Sequence, residues 1–215
     1  MVGTDEQRHS HWQNVYETKA EREVSWFQES PAPSIDLIRA AGVSTKAAIV
    51  DIGGGASRLV DALVQEGFKN VTVLDLSERA LVHAQERLGP QRAAEVKWVA
   101  ADVTAWEPVK GSYDVWHDRA AFHFLTDEPA QDAYISSLRK ALKPGGLVVI
   151  ATFDMNGPER CSGLPVVRYS SDSLADRLGP EFRALSAQHH LHQTPWGAAQ
   201  SFQFSVFRWR TDAQR

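Results

Sequence analysis

The sequence predicts an α/β fold, a mostly parallel sheet with helices on both faces and an antiparallel hairpin at its C-terminal end. Three observations lead there. Apolar runs recur without alternation, as in Ala47-Ala48-Ile49-Val50-Asp51-Ile52 and Leu147-Val148-Val149-Ile150-Ala151, which suits strands buried on both faces. Helix-length stretches separate these runs, so successive strands are joined by crossovers and lie parallel. The last third breaks the alternation, with strand-like runs at 182–192 and 201–209 joined through Thr194-Pro195-Trp196-Gly197.

Size and charge bound the possibilities. With 215 residues, 43% of them hydrophobic and 23% charged, the chain reads as one soluble domain with a full core. A net charge of -4 and the lack of a basic run predict no nucleic-acid partner. No apolar stretch approaches the length of a membrane span, and the polar stretch Met1 to Ser10 does not read as a signal peptide. The single cysteine, Cys161, excludes an intramolecular disulfide and suits a reducing cytoplasm.

In chain order, residues 5–30 are polar but carry His11, Trp12, Tyr16, Trp26 and Phe27. Trp12 and Tyr16 share one face of a helix, which either packs on the domain edge or closes over a ligand. Ser30-Pro31-Ala32-Pro33 stops that segment, and Ser34 to Ala41 reads as a helix. The first strand, 47–52, runs into Gly53-Gly54-Gly55 and a helix at 57–66; the second strand follows at 71–75. Ser77 caps a helix reaching Leu88, where Gly89-Pro90 breaks it. Strands at 97–100 and 113–117, a helix from Glu128 to Leu142 and a strand from Leu147 to Phe153 complete the alternating part. A long loop at 154–169 and a helix at 170–178 lead into the hairpin. The whole reads as a single domain over 1–215, with a helical region at 1–42, a core at 45–153 and a loop-and-hairpin region at 154–215.

The chemistry concentrates at strand ends. Gly53 to Gly55 let a ligand approach bare backbone, and the following helix favours an anionic group at its N-terminus. Asp51, beside that turn, is placed to meet a cation or donor. Asp75 ends the second strand, where an acid can accept both hydroxyls of a ribose; Leu76 follows it. Asp102 ends the third strand and is suited to accept from an adenine amino group while Val103 offers a backbone N–H. Three acids at the carboxyl ends of three strands mark a nucleoside-cofactor site. For a dinucleotide, the pattern G-x-G-x-x-G would need glycine where Arg58 stands.

Together, D-I-G-G-G, V-L-D-L-S, A-D-V and L-K-P-G-G-L-V-V-I-A-T-F resemble a class I S-adenosylmethionine-dependent methyltransferase over about residues 45–153. The resemblance implies a Rossmann-like, seven-stranded sheet with one antiparallel strand. It also implies that Asp51, Gly53, Gly54 and Gly55 hold the methionine end of S-adenosylmethionine, Asp75 the ribose, and Asp102 and Val103 the adenine, with Leu76 a further cofactor-binding residue. A narrower similarity, carried by His11-Trp12, Tyr16, Trp26-Phe27-Gln28 and Trp116-His117-Asp118-Arg119-Ala120, is to thiopurine and related thiol methyltransferases. It implies that Trp12, Tyr16 and Phe27 line the cofactor pocket and that Asp118 and Arg119 border the substrate. The Asp-Arg element also resembles the turn of some protein-lysine methyltransferases, and Ala120 stands where both groups tend to have glycine.

A thiol or amine acceptor must lose its proton, and His123, just past the fourth strand, is the candidate base; the other reading of it is structural. His117 is read as a buried strand residue. On a strand His190 and His192 share one face and His189 the other; two ligands without an acid or thiolate third predict no metal site. Cys161 is either a pocket residue or a packed thiol. The function expected is direct methyl transfer to a small-molecule sulfur, nitrogen or oxygen nucleophile. The alternatives are a protein-lysine methyltransferase and a non-catalytic module that binds S-adenosylmethionine.

Overall fold

The computed structural model describes residues 5–210; residues 1–4, the start of the polar N-terminal stretch, and residues 211–215 lie outside the described part. The chain opens with helix α1 (Asp5–Thr18), a 3-10 turn at Glu21–Glu23 and helix α2 (Ser34–Ala40). Then follow β1 (Ala48–Ile52), α3 (Leu59–Gln65), β2 (Asn70–Asp75), α4 (Glu78–Leu88), the short α5 (Pro90–Ala93), β3 (Val96–Ala100) and β4 (Tyr113–Arg119). A 3-10 turn at Phe122–Phe124 precedes α6 (Glu128–Ala141) and β5 (Leu142–Phe153). The final part holds β6 (Arg160–Cys161), β7 (Leu164–Pro165), α7 (Ser171–Leu178), β8 (Phe182–Gln193) and β9 (Ala199–Trp209).

Seven strands form one sheet in the order β3-β2-β1-β4-β5-β9-β8. From β3 to β5 all pairs are parallel; β9 runs antiparallel to both β5 and β8. The expected Rossmann-like architecture, with its one antiparallel strand and terminal hairpin, is therefore present.

Strand parity divides the core. Val50, Ile52, Trp116, Val148 and Ile150 face one side and pack with Tyr134, Ile135 and Leu138 of α6 and Leu174 of α7. Ile49, Val71, Val73, Val115, Leu147 and Val149 face the other and pack with Ile35 and Ile38 of α2 and Leu59, Val60 and Leu63 of α3. A strand covered by helices on both faces has no polar side to show, which is why these segments read as unbroken apolar runs.

Local signals explain the boundaries. The Ser77 hydroxyl accepts from Ala80 N at 3.2 Å and caps α4; Asp127 caps α6 through Ala130 N at 3.0 Å. Helix α3 starts at Leu59 rather than at 57, because Ser57 N still bonds Gly54 O at 2.7 Å within the glycine turn. Helix α4 ends at Leu88 with Gly89 as its cap, as expected, and the chain restarts at once as α5, since proline's fixed φ suits the first turn of a helix. The Lys143-Pro144-Gly145-Gly146 segment is part of β5, with a register shift against β4 between Tyr113 and Val115. Within the expected 154–169 loop, β6 and β7 pair as a small hairpin. Among the described residues no helix is long and apolar enough to cross a membrane.

Candidate functional site

The strand order reverses between β1 and β4, and an open α/β sheet binds its ligands in the crevice outside the strand ends at that reversal. A cavity lies there, with about 830 Å³ of empty space including its open mouth. Its floor comes from the ends of the strands. These are Ile52 and Gly53 after β1, Leu74, Asp75 and Leu76 at β2, Ala101, Asp102 and Val103 after β3, and Arg119, Ala120 and Ala121 at β4. Its roof is Arg8, Trp12 and Tyr16 of α1 with Trp26, and its far wall is Phe124, Leu125 and Cys161.

The glycine turn packs bare backbone onto carboxylates. A Cβ built on Gly53 would lie 2.8 Å from Ala121 Cβ, on Gly54 2.6 Å from Asp51 Oδ2, and on Gly55 2.5 Å from Asp75 Oδ2. Gly53 and Gly55 also have positive φ, at 62° and 32°. Any side chain here would displace an acid. Of the three glycines only Gly53 reaches the cavity wall; Gly54 and Gly55 stand behind it, seating Asp51 and Asp75.

Asp75 is 7% exposed, and its Oδ1 accepts from Ser77 N at 2.8 Å. Burial pushes its pKa up to about 7, the backbone N–H groups of Ser77, Leu76 and Gly55 opposing and the nearby Asp51 adding to the rise. Asp102 is held on both oxygens: Oδ1 accepts from Thr104 N at 2.8 Å and Thr104 Oγ1 at 2.7 Å, and Oδ2 from Arg8 Nη2 at 2.8 Å. Gln13 Oε1 receives the Ser77 hydroxyl at 2.5 Å and Arg79 N at 3.1 Å, so α1 is pinned along the ends of β2 and β3.

The other end of the cavity is aromatic. Trp12 packs edge-on to Trp26 at 5.5 Å and to Phe124 at 5.1 Å between ring centroids, and Tyr16 packs edge-on to Trp26 at 6.1 Å. Arg119 reaches under this wall, its Nη2 donating to Trp26 O at 2.8 Å. Burial lowers its pKa, the Asp51 carboxylate opposing that shift. Ala120, where glycine was the usual residue in the resemblance, holds a left-handed φ of 70°. Cys161 is buried against this end, and burial pushes its thiol up to about 11.

Several sequence-predicted residues lie elsewhere. Asp51 is one layer behind the wall, 2% exposed; its Oδ1 is bonded to His117 Nδ1 at 2.7 Å, and Oδ2 finds no hydrogen-bond partner among the described residues. Phe27 lines a second cavity, where the guanidinium groups of Arg22 and Arg58 lie 5.3 and 5.4 Å from its ring centre. That cavity shares Tyr16, Trp26 and Arg119 with the first and is also walled by Ser34 and Ser57.

Two expected substrate-side roles are corrected. Asp118 is fully buried and holds the turn after β4, accepting from Ala121 N at 2.8 Å, Phe122 N at 3.0 Å and the Tyr134 hydroxyl at 2.7 Å. Burial raises its pKa to about 6. His123 is fully buried between Phe124 and Phe153, and its Nδ1 accepts from Phe153 N at 3.3 Å. Burial pulls its pKa down to about 3, Arg119 adding to the shift, so the ring is a neutral core acceptor and not a wall residue. Successive side chains on the 3-10 turn point about 120° apart, so Phe124 lines the cavity while His123 faces the core.

Arg8 and Phe124 line the wall beyond the residues singled out from sequence, and Trp26 and Cys161, both noted there, line it as well. Arg8 was findable, since it lies one helical turn before Trp12 and two before Tyr16, on the same face of α1. The three C-terminal histidines disperse. His189 Nδ1 meets Asp154 Oδ2 at 2.9 Å, His190 sets its ring against Phe204, and His192 Nε2 donates to Ser25 O at 2.6 Å. No group of three metal-ligating side chains occurs among the described residues.

A methyl-donor nucleoside fits this arrangement on two counts: a strand-end acid facing the cavity for the ribose, and an orphaned buried carboxylate oxygen beside the glycine turn. Comparison with known proteins agrees. Residues 49–146 match the family described as a methyltransferase domain. The chain is 30% identical over 128 residues to malonyl-[acyl-carrier protein] O-methyltransferase of Paenibacillus sp. (strain JDR-2), covering 58% of this chain and 45% of that one. It is 29% identical over 133 residues to EEF1A lysine methyltransferase 2 of Danio rerio, covering 59% and 57%. The chain thus spans about half the length of these curated relatives. In fold it is similar to the Burkholderia thailandensis 1,6-didemethyltoxoflavin-N1-methyltransferase, solved with 1,6-didemethyltoxoflavin and S-adenosylhomocysteine. The TM-score is 0.69 at 18% identity, over 98% of this chain and 92% of that one. The strand-end acids, the glycine turn and these matches agree: residues 49–146 are similar to a methyltransferase domain, and the chain has the Rossmann-like methyltransferase fold.

Proposed function

We propose that the protein transfers a methyl group from S-adenosylmethionine to a small-molecule sulfur, nitrogen or oxygen nucleophile. The observation that carries this reading is the enclosure of the acceptor end, where Trp12, Trp26 and Phe124 meet edge to face under α1. Rings closed over the site suit a compact acceptor. The toxoflavin enzyme, similar in fold, acts on a small heterocycle by name, and the O-methyltransferase relative on an acyl group carried by a protein.

In this reading residues 5–42 close over the 45–153 core, and residues 154–210 supply Cys161 and the far edge of the sheet. Asp75 accepts the ribose hydroxyls; Asp102 and Val103 serve the adenine, and Asp51 with the Gly53–Gly55 turn the methionine end. The bound cofactor supplies an electrophilic methyl on a sulfonium. Trp12, Tyr16, Trp26 and Phe124 exclude water and align the acceptor, and orientation is the main source of rate. Arg119 places a positive charge at that end, which favours the deprotonated acceptor, a thiolate or a neutral amine, and attracts the thiolate. His123, buried and neutral, supports the wall through Phe153 N.

The lysine-methyltransferase relative and the Asp118-Arg119 element favour a second reading, methylation of a protein lysine. One assay separates the readings. The protein is incubated with S-adenosylmethionine labelled in the methyl group, a panel of thiols, amines and hydroxy compounds, and a lysine-rich protein extract. Label in the small-molecule fraction is expected. Label in protein alone would move the assignment to the second reading, and binding without any transfer would make the chain a cofactor-binding module.

A further inference from the structure

His117 takes no part in the wall, yet it joins the buried acid to α2. Register explains the contact: on β1 and β4 Asp51 pairs directly with His117, so both side chains leave the sheet on one face. That face is covered by α2, whose first residue is Ser34. His117 Nδ1 lies 2.7 Å from Asp51 Oδ1, and His117 Nε2 lies 2.8 Å from Ser34 Oγ. All three residues are 2% exposed. A carboxylate only accepts, so Nδ1 carries the proton and, in the neutral ring, Nε2 accepts from the serine hydroxyl.

The chain of bonds fixes one oxygen of Asp51 and leaves the other unsatisfied. Oδ2 is buried and without a hydrogen-bond partner among the described residues, tucked against Gly54 where a Cβ would come within 2.6 Å of it. A buried carboxylate oxygen left unpaired is costly, and a cation or strong donor arriving there removes that cost. Arg119 makes no hydrogen bond to that oxygen, and its Nη2 donates to Trp26 O.

We infer that Ser34 and His117 are positioning residues, which hold the Asp51 carboxylate so that its free oxygen receives the α-ammonium of the bound cofactor. The inference rests on the methyltransferase reading and adds to it two residues that never touch the ligand. It also explains why a histidine stands in the middle of a buried strand, where an aliphatic side chain would pack without hydrogen bonds.

The test compares two probes, S-adenosylhomocysteine and 5′-methylthioadenosine. The second carries the same adenosine but neither the ammonium nor the carboxylate. Binding of both is measured by calorimetry in wild type, His117→Leu, His117→Asn and Ser34→Ala. In His117→Leu the affinity for S-adenosylhomocysteine is expected to fall roughly tenfold to a hundredfold, the range of a charge-assisted hydrogen bond, with 5′-methylthioadenosine unchanged. Asparagine keeps a donor near the place of Nδ1, so His117→Asn recovers most of the loss. Ser34→Ala, the smaller change, moves the same ratio a few-fold and carries the test if His117→Leu does not fold. Equal losses for both probes, or no loss for either, would make the trio a structural contact and overturn the inference. Wild-type protein that binds neither probe would overturn the cofactor reading itself, and the inference with it.

Discussion

Arg8 Nη2 donates to Asp102 Oδ2 at 2.8 Å, so helix α1 is tied to the end of β3 across the mouth of the cavity. Both side chains keep 16% of their surface exposed, which puts the contribution of the pair at about 1 kcal/mol. Arg8→Ala should therefore speed hydrogen exchange across α1 a few-fold in the free protein. S-adenosylhomocysteine should slow exchange over residues 9–30 in wild type, as expected of a lid. Exchange unaffected by either change would make α1 a fixed edge element.

The charge on Asp75 sets a pH dependence. Its folded pKa of about 7 lies above the ordinary 3.8, so below 7 the carboxyl is protonated and accepts poorly from ribose hydroxyls. Ligand binding favours the ionised form, and affinity for S-adenosylhomocysteine should rise with pH between about 6 and 8. In Asp75→Asn the affinity should be lower and flat over that window. For stability the sign is opposite. A raised acid pKa stabilises the fold below the unfolded value, and that contribution is lost as pH rises through 7. A wild-type affinity independent of pH would show that Asp75 does not meet the ligand as a carboxylate.

Much of this site was legible because its signals are local. The apolar run into Gly53-Gly54-Gly55, the strand-end acids Asp75 and Asp102, and the Ser77 cap each need only a few neighbouring residues to be read. Trp12 and Tyr16 on one helical face are equally local. What was not legible depends on distant contacts. Asp118 and His123 sit beside cavity residues in sequence, but tertiary packing turns them into the core. Ser34 and His117 meet only because β1 and β4 pair in register and α2 covers that face. Phe27 follows Trp26 directly yet opens into a different cavity. The start of β5 was hidden by Pro144 and two glycines, so the sequence places the strand only from Leu147.

Behind the turn after β4, the Tyr134 hydroxyl accepts from Trp116 Nε1 at 2.8 Å and donates to Asp118 Oδ2 at 2.7 Å, all three residues being fully buried. Tyr134→Phe strands an indole N–H and removes one donor from the acid. We expect a loss of about 2–3 kcal/mol in urea unfolding, with little change in cofactor affinity. Unchanged stability would mean that the network relaxes around the missing oxygen.

His123 gives a sharper contrast between core and catalyst. With a pKa of about 3 in the fold against 6.5 outside it, His123 costs stability as pH falls below 6.5, where the unfolded chain takes up the proton. His123→Leu should flatten that acid dependence and lower stability at neutral pH by about 1–3 kcal/mol, since Phe153 N loses its acceptor. The pH profile of turnover should keep its shape. A loss of about 10²-fold or more in turnover at neutral pH, at unchanged cofactor affinity, would return the base role to His123.

The cavity at the β1–β4 reversal is the proposed seat of S-adenosylmethionine. Calorimetric titration with S-adenosylhomocysteine, set beside NAD, tests it most directly, in wild type and in Asp75→Ala. Saturable binding of S-adenosylhomocysteine is expected, weakened by about 1.5–3 kcal/mol in the variant, with much weaker binding of NAD. Saturable binding of NAD with S-adenosylhomocysteine ignored would contradict it.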